Sequence, residues 1–250
     1  MGRRIDLYID LASLYSYIIL AQVLKTQNLL EQHSVEIEIH PVLLGAINAG
    51  SGNQPPWVLP AKRAYGSHDA RRSLRAAGLK NVSPPGDLME AGKTQIPLRA
   101  LHHVKRHYSL GVYLATWRYL FHAFWTLHEP PITPEALRKA LSDAPVDFSP
   151  EEASGQRKKK KLFTTAEVDD ILRAAASPEY KNVLRQTTDT ALKHGAFGAP
   201  WLWVTNEETK ESEPFFGSDR WNHVYEFLGL PYQDVTLLPP KTEKGVESKL

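Results

Sequence analysis

Strand patterns occur only towards the two ends of this chain of 250 residues, and a long helical stretch separates them. Near the beginning, residues 4–10 and 35–40 alternate apolar and polar side chains, which predicts two β-strands. Residues 14–30 place apolar side chains on one helical face, and Ser13 stands at the N-cap position before them. This segment is therefore predicted to form a βαβ unit with a right-handed crossover.

The middle of the chain, from about residue 59 to residue 194, shows only helical patterns. Strand patterns return at Pro200, where an apolar strand and, after a polar turn, a second strand are expected. Ser218 and Asp219 are then predicted to open a last helix. This order is typical of a thioredoxin-like α/β fold (βαβ, then ββα) with a large all-helical insertion. The helices of the insertion are predicted at residues 61–77, 94–106, 110–127, 133–141, 164–175 and 179–194.

These patterns divide the chain into three predicted parts. Residues 1–45 and 195–232 together form the thioredoxin-like domain, and residues 46–194 form the helical insertion beside it. Residues 233–250 form a polar, extended tail that ends in Ser248-Lys249-Leu250, a tripeptide that the peroxisomal import receptor reads. We therefore expect a peroxisomal location, with the cytoplasm or the mitochondrion as alternatives.

The composition excludes several classes of protein. The sequence has no cysteine, which excludes disulfides, thiolate metal sites and a cysteine nucleophile. A net charge of +2 supplies no overall field that would attract nucleic acid or a membrane surface. No apolar run approaches the ~20 residues of a membrane span. The basic run at residues 157–161 lacks interleaved aromatic residues, so we interpret it as a solvated loop. The spacing of His102, His103 and His107 does not indicate a metal site.

The turn after the first strand is the reactive position of thioredoxin-like folds. Redox members carry a cysteine there, at a helix N-terminus that favours an anion. In this chain Ser13 takes that place, and its hydroxyl can donate a hydrogen bond to the thiolate of a ligand. Because the chain has no thiol of its own, thiol chemistry at this turn has to use the sulfur of a ligand. The simpler alternative is that Ser13 only caps the helix.

Two further features are predicted to face the same turn. Pro200 opens a strand at the cis-proline position of the fold, so the backbone of Ala199 would face an extended peptide ligand. Ser218 offers a hydroxyl for a carboxylate, and Asp219 suits an α-ammonium group. The alternatives are an ordinary trans proline at Pro200 and a plain helix cap at Ser218.

Several motifs together resemble those of the kappa-class glutathione transferases. That family shares its fold with 2-hydroxychromene-2-carboxylate isomerases and with DsbA-like oxidoreductases. Residues 10–17 resemble the family segment Asp-x-x-Ser-Pro-Tyr-Ser-Trp, and residues 51–56 followed by Lys62 resemble the loop that enters the insertion. The runs Gly195-Ala196-Phe197-Gly198-Ala199-Pro200 and Phe216-Gly217-Ser218-Asp219-Arg220 match the family almost letter for letter.

The resemblance implies a role for each predicted site residue. Ser13 would face the sulfur of glutathione. Ala199, followed by a cis Pro200, would pair with the cysteinyl backbone. Ser218 and Asp219 would hold the γ-glutamyl end.

The other end of glutathione is implied to lie against the entrance of the insertion. Asn53 and Lys62 would hold the glycyl end or the peptide backbone. The chain departs from the family at Leu14, where proline is usual, and at Tyr17, where tryptophan is usual. Ala199 is smaller than the usual leucine. These departures concern substrate preference more than glutathione binding.

Three functions are consistent with this resemblance. The first is a homodimeric, metal-free glutathione transferase that conjugates glutathione to hydrophobic electrophiles and reduces lipid hydroperoxides. The second is a glutathione-dependent isomerase of the 2-hydroxychromene-2-carboxylate type, in which the thiolate adds to the substrate and leaves again. The third is a non-catalytic protein that binds glutathione or a partner chain.

Overall fold

A computed structural model of the chain describes residues 2–148 and 160–235. Within these residues one mixed sheet of four strands has the order β2-β1-β3-β4. Strands β1 and β2 are parallel, while β3 is antiparallel to both β1 and β4. The predicted order of βαβ followed by ββα is therefore confirmed. The strands are β1 (Arg3–Ile9), β2 (Val35–Pro41), β3 (Trp201–Asn206) and β4 (Glu211–Phe216).

One face of the sheet is apolar because the strand register aligns its aliphatic residues. Ile5 of β1 lies between Ile37 of β2 and Val204 of β3, and the alternation of side chains repeats this pattern two residues further on. Helix α1 (Leu14–Gln32) connects β1 to β2 and contributes its buried residues to the same core. This βαβ unit places the N-terminus of α1 at the carboxyl end of β1.

The predicted helices of the middle segment are all present. They are α3 (Pro60–Ala77), α5 (Gln95–His107), α6 (Leu110–Trp125), α7 (Pro134–Asp143), α8 (Thr165–Ala176) and α9 (Pro178–Lys193). Three elements were not predicted, namely α2 (Leu44–Ser51), a 3-10 turn (Pro56–Val58) and the short α4 (Leu88–Ala91). Helix α2 contains two glycines, which weaken the helical pattern of so short a segment. The described part of the chain contains no helix that could span a membrane.

The helical block and the sheet share one hydrophobic core. On α6, Trp117 and Phe121 are fully buried in the cluster that also holds the aliphatic face of the sheet. The ring of Tyr17 from α1 stacks on Phe121, with 4.9 Å between the ring centroids. The Tyr113 hydroxyl of α6 donates to the carbonyl of Ile39 in β2 at 3.0 Å. The domain boundaries after residues 45 and 194 remain a prediction.

Two predicted surface features lie outside the described residues. They are most of the basic run at residues 157–161 and the tail from residue 236 onwards, which includes Ser248-Lys249-Leu250. The last helix that the structure describes is α10 (Trp221–Phe227).

Trp125, at the end of α6, ties the helical block to the turn after β1. Its indole N–H donates to the carbonyl of Leu11 at 2.8 Å, and the side chain is buried.

We expect Trp125→Phe to lower the free energy of unfolding by about 1–3 kcal/mol, because the buried Leu11 carbonyl loses its donor. Denaturant unfolding measures this change. The half-buried Trp57 makes no indole hydrogen bond among the described residues, so Trp57→Phe is the matched control. Equal stability of the two variants would contradict the role of the Trp125 hydrogen bond.

Candidate functional site

Ser13 lies where β1 passes into α1, as predicted. Its N–H donates to the carbonyl of Asp10 at 3.1 Å, which closes the turn. Its Oγ accepts the N–H of Ser16 at 3.2 Å, so the side chain does cap the helix. Capping uses only a lone pair of the hydroxyl oxygen, and the hydroxyl proton is still free to be donated elsewhere.

The structure brings the cis-proline loop into contact with this turn. The Ala199–Pro200 peptide bond is cis, which confirms the predicted isomer. The Ser13 hydroxyl donates to the Ala199 carbonyl at 2.8 Å. Ser13 and Ala199 are 7% and 8% exposed, so both are buried except for a small part of their surface. Two residues predicted independently as site residues are therefore in direct contact.

Ser218 and Asp219 lie beside the cis-proline loop, but they do not open the last helix. Gly217 donates its N–H to the Pro200 carbonyl at 3.2 Å, which holds this segment against the loop. Helix α10 begins only at Trp221, with Arg220 at its N-cap and no side-chain capping hydrogen bond. The prediction of a Ser-Asp cap was therefore wrong. The turn at Gly217, with φ of +96°, separates strand β4 from the two residues before the helix.

Ser218 and Asp219 differ in their surroundings. Ser218 is buried, whereas the Asp219 carboxylate is exposed and forms an ion pair with the adjacent Arg220 at 2.8 Å. The negative charge of Asp219 contributes to a raised pKa of the Tyr15 phenol, after burial and the hydrogen bond of that phenol to Asp69. Asp219 is therefore within electrostatic reach of the first turn of α1.

Asn53 contacts the cis-proline loop directly. Its Nδ2 donates to the carbonyl of Phe197 at 2.6 Å, and its Oδ1 accepts the N–H of Gln54 at 2.8 Å. Lys62 lies in the first turn of α3 and is exposed. Its ammonium group makes no hydrogen bond or ion pair within the described ranges, and the structure does not bring it into contact with the other predicted residues.

Helix α3 reaches the first turn of α1 through a residue that the sequence analysis did not consider. The Tyr15 hydroxyl of α1 donates to Asp69 of α3 at 2.5 Å, and the Tyr65 hydroxyl donates to the same carboxylate at 3.3 Å. Tyr15 belongs to the motif around Ser13, but no sequence pattern links it to Asp69, which is 54 residues away. The contact depends on how α3 packs across the end of α1.

Asp10 is the most important residue of the site whose role the sequence did not reveal. Its carboxylate is fully buried beneath the Ser13 turn. Oδ1 accepts the Ala12 N–H at 3.0 Å and the Thr94 hydroxyl at 2.8 Å, and Oδ2 accepts the Leu44 N–H at 2.7 Å. Burial raises the pKa of Asp10 to about 6, against the opposing effect of these hydrogen bonds. The sequence signal is an acid at the end of an otherwise apolar strand.

An aromatic cluster lies where the cis-proline loop meets the start of β3 and the end of β4. The Phe197 ring is 4.6 Å from Phe216 and 5.1 Å from Trp201, measured between centroids. Phe197 and Phe216 are 42% and 43% exposed. This surface can accept a hydrophobic molecule next to the site.

One set of side chains among the described residues has the spacing of a metal site. Ligand atoms of Asp6, Glu38 and His40 lie within 4.8 Å of one another on the face of the sheet opposite α1. Arg4 and Lys105 already contact these carboxylates, with Lys105 Nζ 2.6 Å from Glu38. Two cations therefore neutralise the group, and the geometry is that of an ion-pair network.

The fold and the site together define a thioredoxin-like protein with a hydroxyl at the reactive turn. The family model described as a DSBA-like thioredoxin domain matches residues 4–229, and the chain belongs to this family.

The chain is similar both to proteins of known sequence and to solved structures. The chain is 28% identical to human "Glutathione S-transferase kappa 1" over 233 residues, which covers 92% of each chain. It is 28% identical to "Glutathione S-transferase kappa 1" of Caenorhabditis elegans over 232 residues, covering 91% of this chain and 92% of the relative. The solved structure of a 2-hydroxychromene-2-carboxylate isomerase superposes with a TM-score of 0.64 at 17% identity, over 90% of this chain and 94% of the isomerase. That last similarity concerns the fold.

We expect Asp10→Asn to lower the free energy of unfolding by about 1–3 kcal/mol, because an amide N–H group would face one of the three donors. The free energy of unfolding of the variant should also lose the part of its pH dependence that comes from Asp10. The pKa of Asp10 in the folded state is about 6, which is above its ordinary value of 3.8. Between pH 3.8 and about pH 6 the folded state therefore binds more protons than the unfolded state. Wild-type stability should therefore decrease as pH rises from about 4 to 6, and the variant should lack this component.

Urea unfolding at a series of pH values measures both effects. Asp169→Asn is the matched control, because Asp169 is half exposed in a surface ion pair with Arg138. A pH profile of Asp10→Asn that matches the wild-type profile would contradict the assignment.

Proposed function

We propose that this chain is a kappa-class glutathione transferase that stabilises the glutathione thiolate through Ser13 and conjugates it to hydrophobic electrophiles. One observation carries the proposal. The Ser13 hydroxyl and the Ala199 peptide group meet at 2.8 Å at the N-terminus of α1, in a chain without any cysteine. A hydroxyl, a helix N-terminus and a backbone N–H of Ala199 that has no acceptor among the described residues meet at this point, which suits a ligand that brings both sulfur and peptide groups.

The proposed glutathione runs from the Ser218 segment to the Asn53 loop. Its cysteinyl backbone pairs with Ala199, whose N–H has no acceptor in the described part of the chain. Its γ-glutamyl end lies against Ser218 and Asp219, and its glycyl end lies against Asn53 and Lys62. The Gly217–Pro200 and Asn53–Phe197 hydrogen bonds support this arrangement, because they hold both outer segments against the cis-proline loop.

The expected stabilisation of the thiolate is large enough to matter for catalysis. A free thiol with a pKa of ~8.5 is only about 3% ionised at pH 7. Lowering this pKa by about two units takes ~2.7 kcal/mol and makes roughly three-quarters of the thiol ionised. A hydrogen bond to a charged group contributes about 1.5–3 kcal/mol, and a helix N-terminus contributes about 0.3–1 kcal/mol. Ser13 and the start of α1 together can supply this amount when the Ser13 hydroxyl donates to the sulfur instead of to the Ala199 carbonyl.

In the proposed reaction the thiolate attacks an electrophilic carbon. A carbon–sulfur bond forms, the leaving group departs with the electron pair of its bond, and the thiol proton has already passed to solvent. Ser13 keeps its own proton throughout and acts as a hydrogen-bond donor. The exposed ring surface of Phe197 and Phe216 favours hydrophobic acceptors.

The alternative is a glutathione-dependent isomerase of the 2-hydroxychromene-2-carboxylate type. The shared fold with such an isomerase favours it, and the same residues would hold glutathione. Comparing turnover of 2-hydroxychromene-2-carboxylate with conjugation of an aryl halide decides between the two. Glutathione binding without turnover of either substrate would instead support a non-catalytic role.

The proposed enzyme is a homodimer, as the kappa-class resemblance implies. Sedimentation analysis of the purified chain tests this point directly.

Ser13→Ala should raise the pKa of the thiol of bound glutathione by about one to two units, because the thiolate loses its hydroxyl donor. Ultraviolet absorbance of the thiolate, followed against pH with saturating glutathione, measures the shift. Thr190→Ala is a suitable control, because the exposed Thr190 hydroxyl also donates to a backbone carbonyl, that of Gln186, within α9. An unchanged thiolate titration in Ser13→Ala would refute the proposed role.

We also propose that Ser248-Lys249-Leu250 directs the protein to peroxisomes. A fluorescent reporter fused to residues 240–250 is expected to accumulate in peroxisomes, because the import receptor reads the free tripeptide. The same fusion without the last three residues is the control. A diffuse signal from the complete fusion would contradict the prediction.

A further inference from the structure

The net charge of the chain is distributed unevenly. Residues 56–80, which run from the 3-10 turn to just past the end of α3, contain six lysines or arginines and a single acid, Asp69. This segment therefore carries a net charge of +5, while the whole chain carries +2 and the remaining residues carry −3. A local excess of this size attracts anions, although the overall charge of the protein does not.

Most of the cations in this segment have no acidic partner. Asp69 pairs with Arg72 at 3.7 Å. The other five form no ion pair with a carboxylate within the described ranges, and they are Lys62, Arg63, Arg71, Arg75 and Lys80. Their charges are therefore available to an anionic partner outside the chain.

Helix α3 directs part of this charge away from the rest of the protein. Its inner face packs on α1, where the Asp69 carboxylate accepts the Tyr15 hydroxyl at 2.5 Å and where Ala77 is buried. Positions three or four residues apart form a row along the outer face. Every member of that row is exposed and none is acidic; the row consists of Ala61, Ala64, His68, Arg71 and Arg75.

The entrance to α3 adds an apolar edge to this basic face. Val58 and Leu59 are 55% and 53% exposed, and Trp57 precedes them with its side chain half-buried. Exposed aliphatic side chains gain nothing from the phosphates of a nucleic acid, whereas they are stabilised at the acyl boundary of a lipid bilayer. Two copies of the basic face, each with a net charge of +5, would repel each other. An anionic lipid surface therefore fits both the charge and the apolar edge.

We propose that α3 and the turn before it form a docking surface for membranes that contain anionic lipids. A basic helix with an apolar edge lies in the plane of the headgroups, with its cations near the lipid phosphates and its apolar side chains between them. This inference does not depend on glutathione binding.

Docking in this way would also bring the candidate site to the bilayer. Asn53 lies three residues before the 3-10 turn, and its Nδ2 donates to the carbonyl of Phe197 at 2.6 Å. The exposed ring of Phe197 is therefore connected directly to the segment that enters the docking surface. Hydrophobic molecules dissolved in the membrane would reach this ring without crossing water.

Co-sedimentation of the purified full-length chain with vesicles tests the proposal. We expect binding to vesicles of an equal mixture of phosphatidylserine and phosphatidylcholine, and none to vesicles of phosphatidylcholine alone. Binding should weaken as salt is added, because salt screens the attraction between the exposed arginines and the lipid phosphates.

Two sets of variants locate the surface. Arg71→Glu with Arg75→Glu should weaken binding at least about tenfold, because each basic residue near an anionic surface contributes roughly fivefold in affinity. The matched control is Arg173→Glu with Arg185→Glu, which makes the same change in net charge at exposed positions of α8 and α9 and should bind as wild type.

Leu59→Ser tests the apolar edge without altering charge. It should weaken binding about fivefold, because part of a leucine side chain leaves the acyl boundary. Leu59 is the N-cap residue of α3 and makes no side-chain capping hydrogen bond, so serine at this position favours the helix. Leu110→Ser is the matched control, because Leu110 is 56% exposed at the start of α6.

Several results would overturn the inference. They are the absence of wild-type binding to the mixed vesicles at low salt, and equal weakening by the two charge-reversed pairs, which would assign binding to net charge. A changed sedimentation coefficient of Arg71→Glu with Arg75→Glu would show instead that a second copy covers this face. Binding to duplex DNA as tight as to vesicles, with no effect of Leu59→Ser on either, would assign the face to polyanions in general.

Discussion

The buried carboxylate of Asp10 is the constraint on which the site depends. An ionisable group without solvent contact is costly to bury, and it requires donors in fixed positions. These donors come from the turn after β1, from the start of α2 at Leu44 and from Thr94 before α5. Three distant parts of the chain are thereby fixed around the carboxyl end of β1. Ser13 closes its own turn through the backbone of the same aspartate, so its position follows from this arrangement.

A serine at this turn changes the chemistry of a thioredoxin-like fold in a specific way. A cysteine there would be a nucleophile, whereas a hydroxyl remains protonated and acts as a donor. The helix N-terminus still favours an anion, so the site is suited to a sulfur atom that arrives with its ligand. In the proposed function the cis-proline loop supplies the backbone groups for that ligand, and the structure shows that its Ala199 carbonyl accepts the Ser13 hydroxyl.

The sequence predicts those parts of the molecule that depend on local patterns. Alternating side chains located the first two strands, an apolar stretch and a polar turn located the last two, and apolar periodicity located the long helices. The family motifs identified Ser13 and Ala199, which the structure places in direct contact. Local patterns did not reveal α2, because it is short and contains two glycines. They also misplaced the start of the last helix, because Ser-Asp is a common cap and nothing nearby indicates that Arg220 takes that position. The roles of Asp10 and Asp69 depend on tertiary packing, which no local pattern encodes.

The central claim is that the sulfur of glutathione binds at Ser13 while its cysteinyl backbone binds at Ala199. A crystal structure of the chain with bound glutathione tests this claim most directly. The account predicts that the sulfur lies about 3.0–3.5 Å from Ser13 Oγ and that the cysteinyl N–H lies within hydrogen-bond distance of the Ala199 carbonyl. A sulfur that points into solvent, with Ser13 still bound to Ala199, would contradict it.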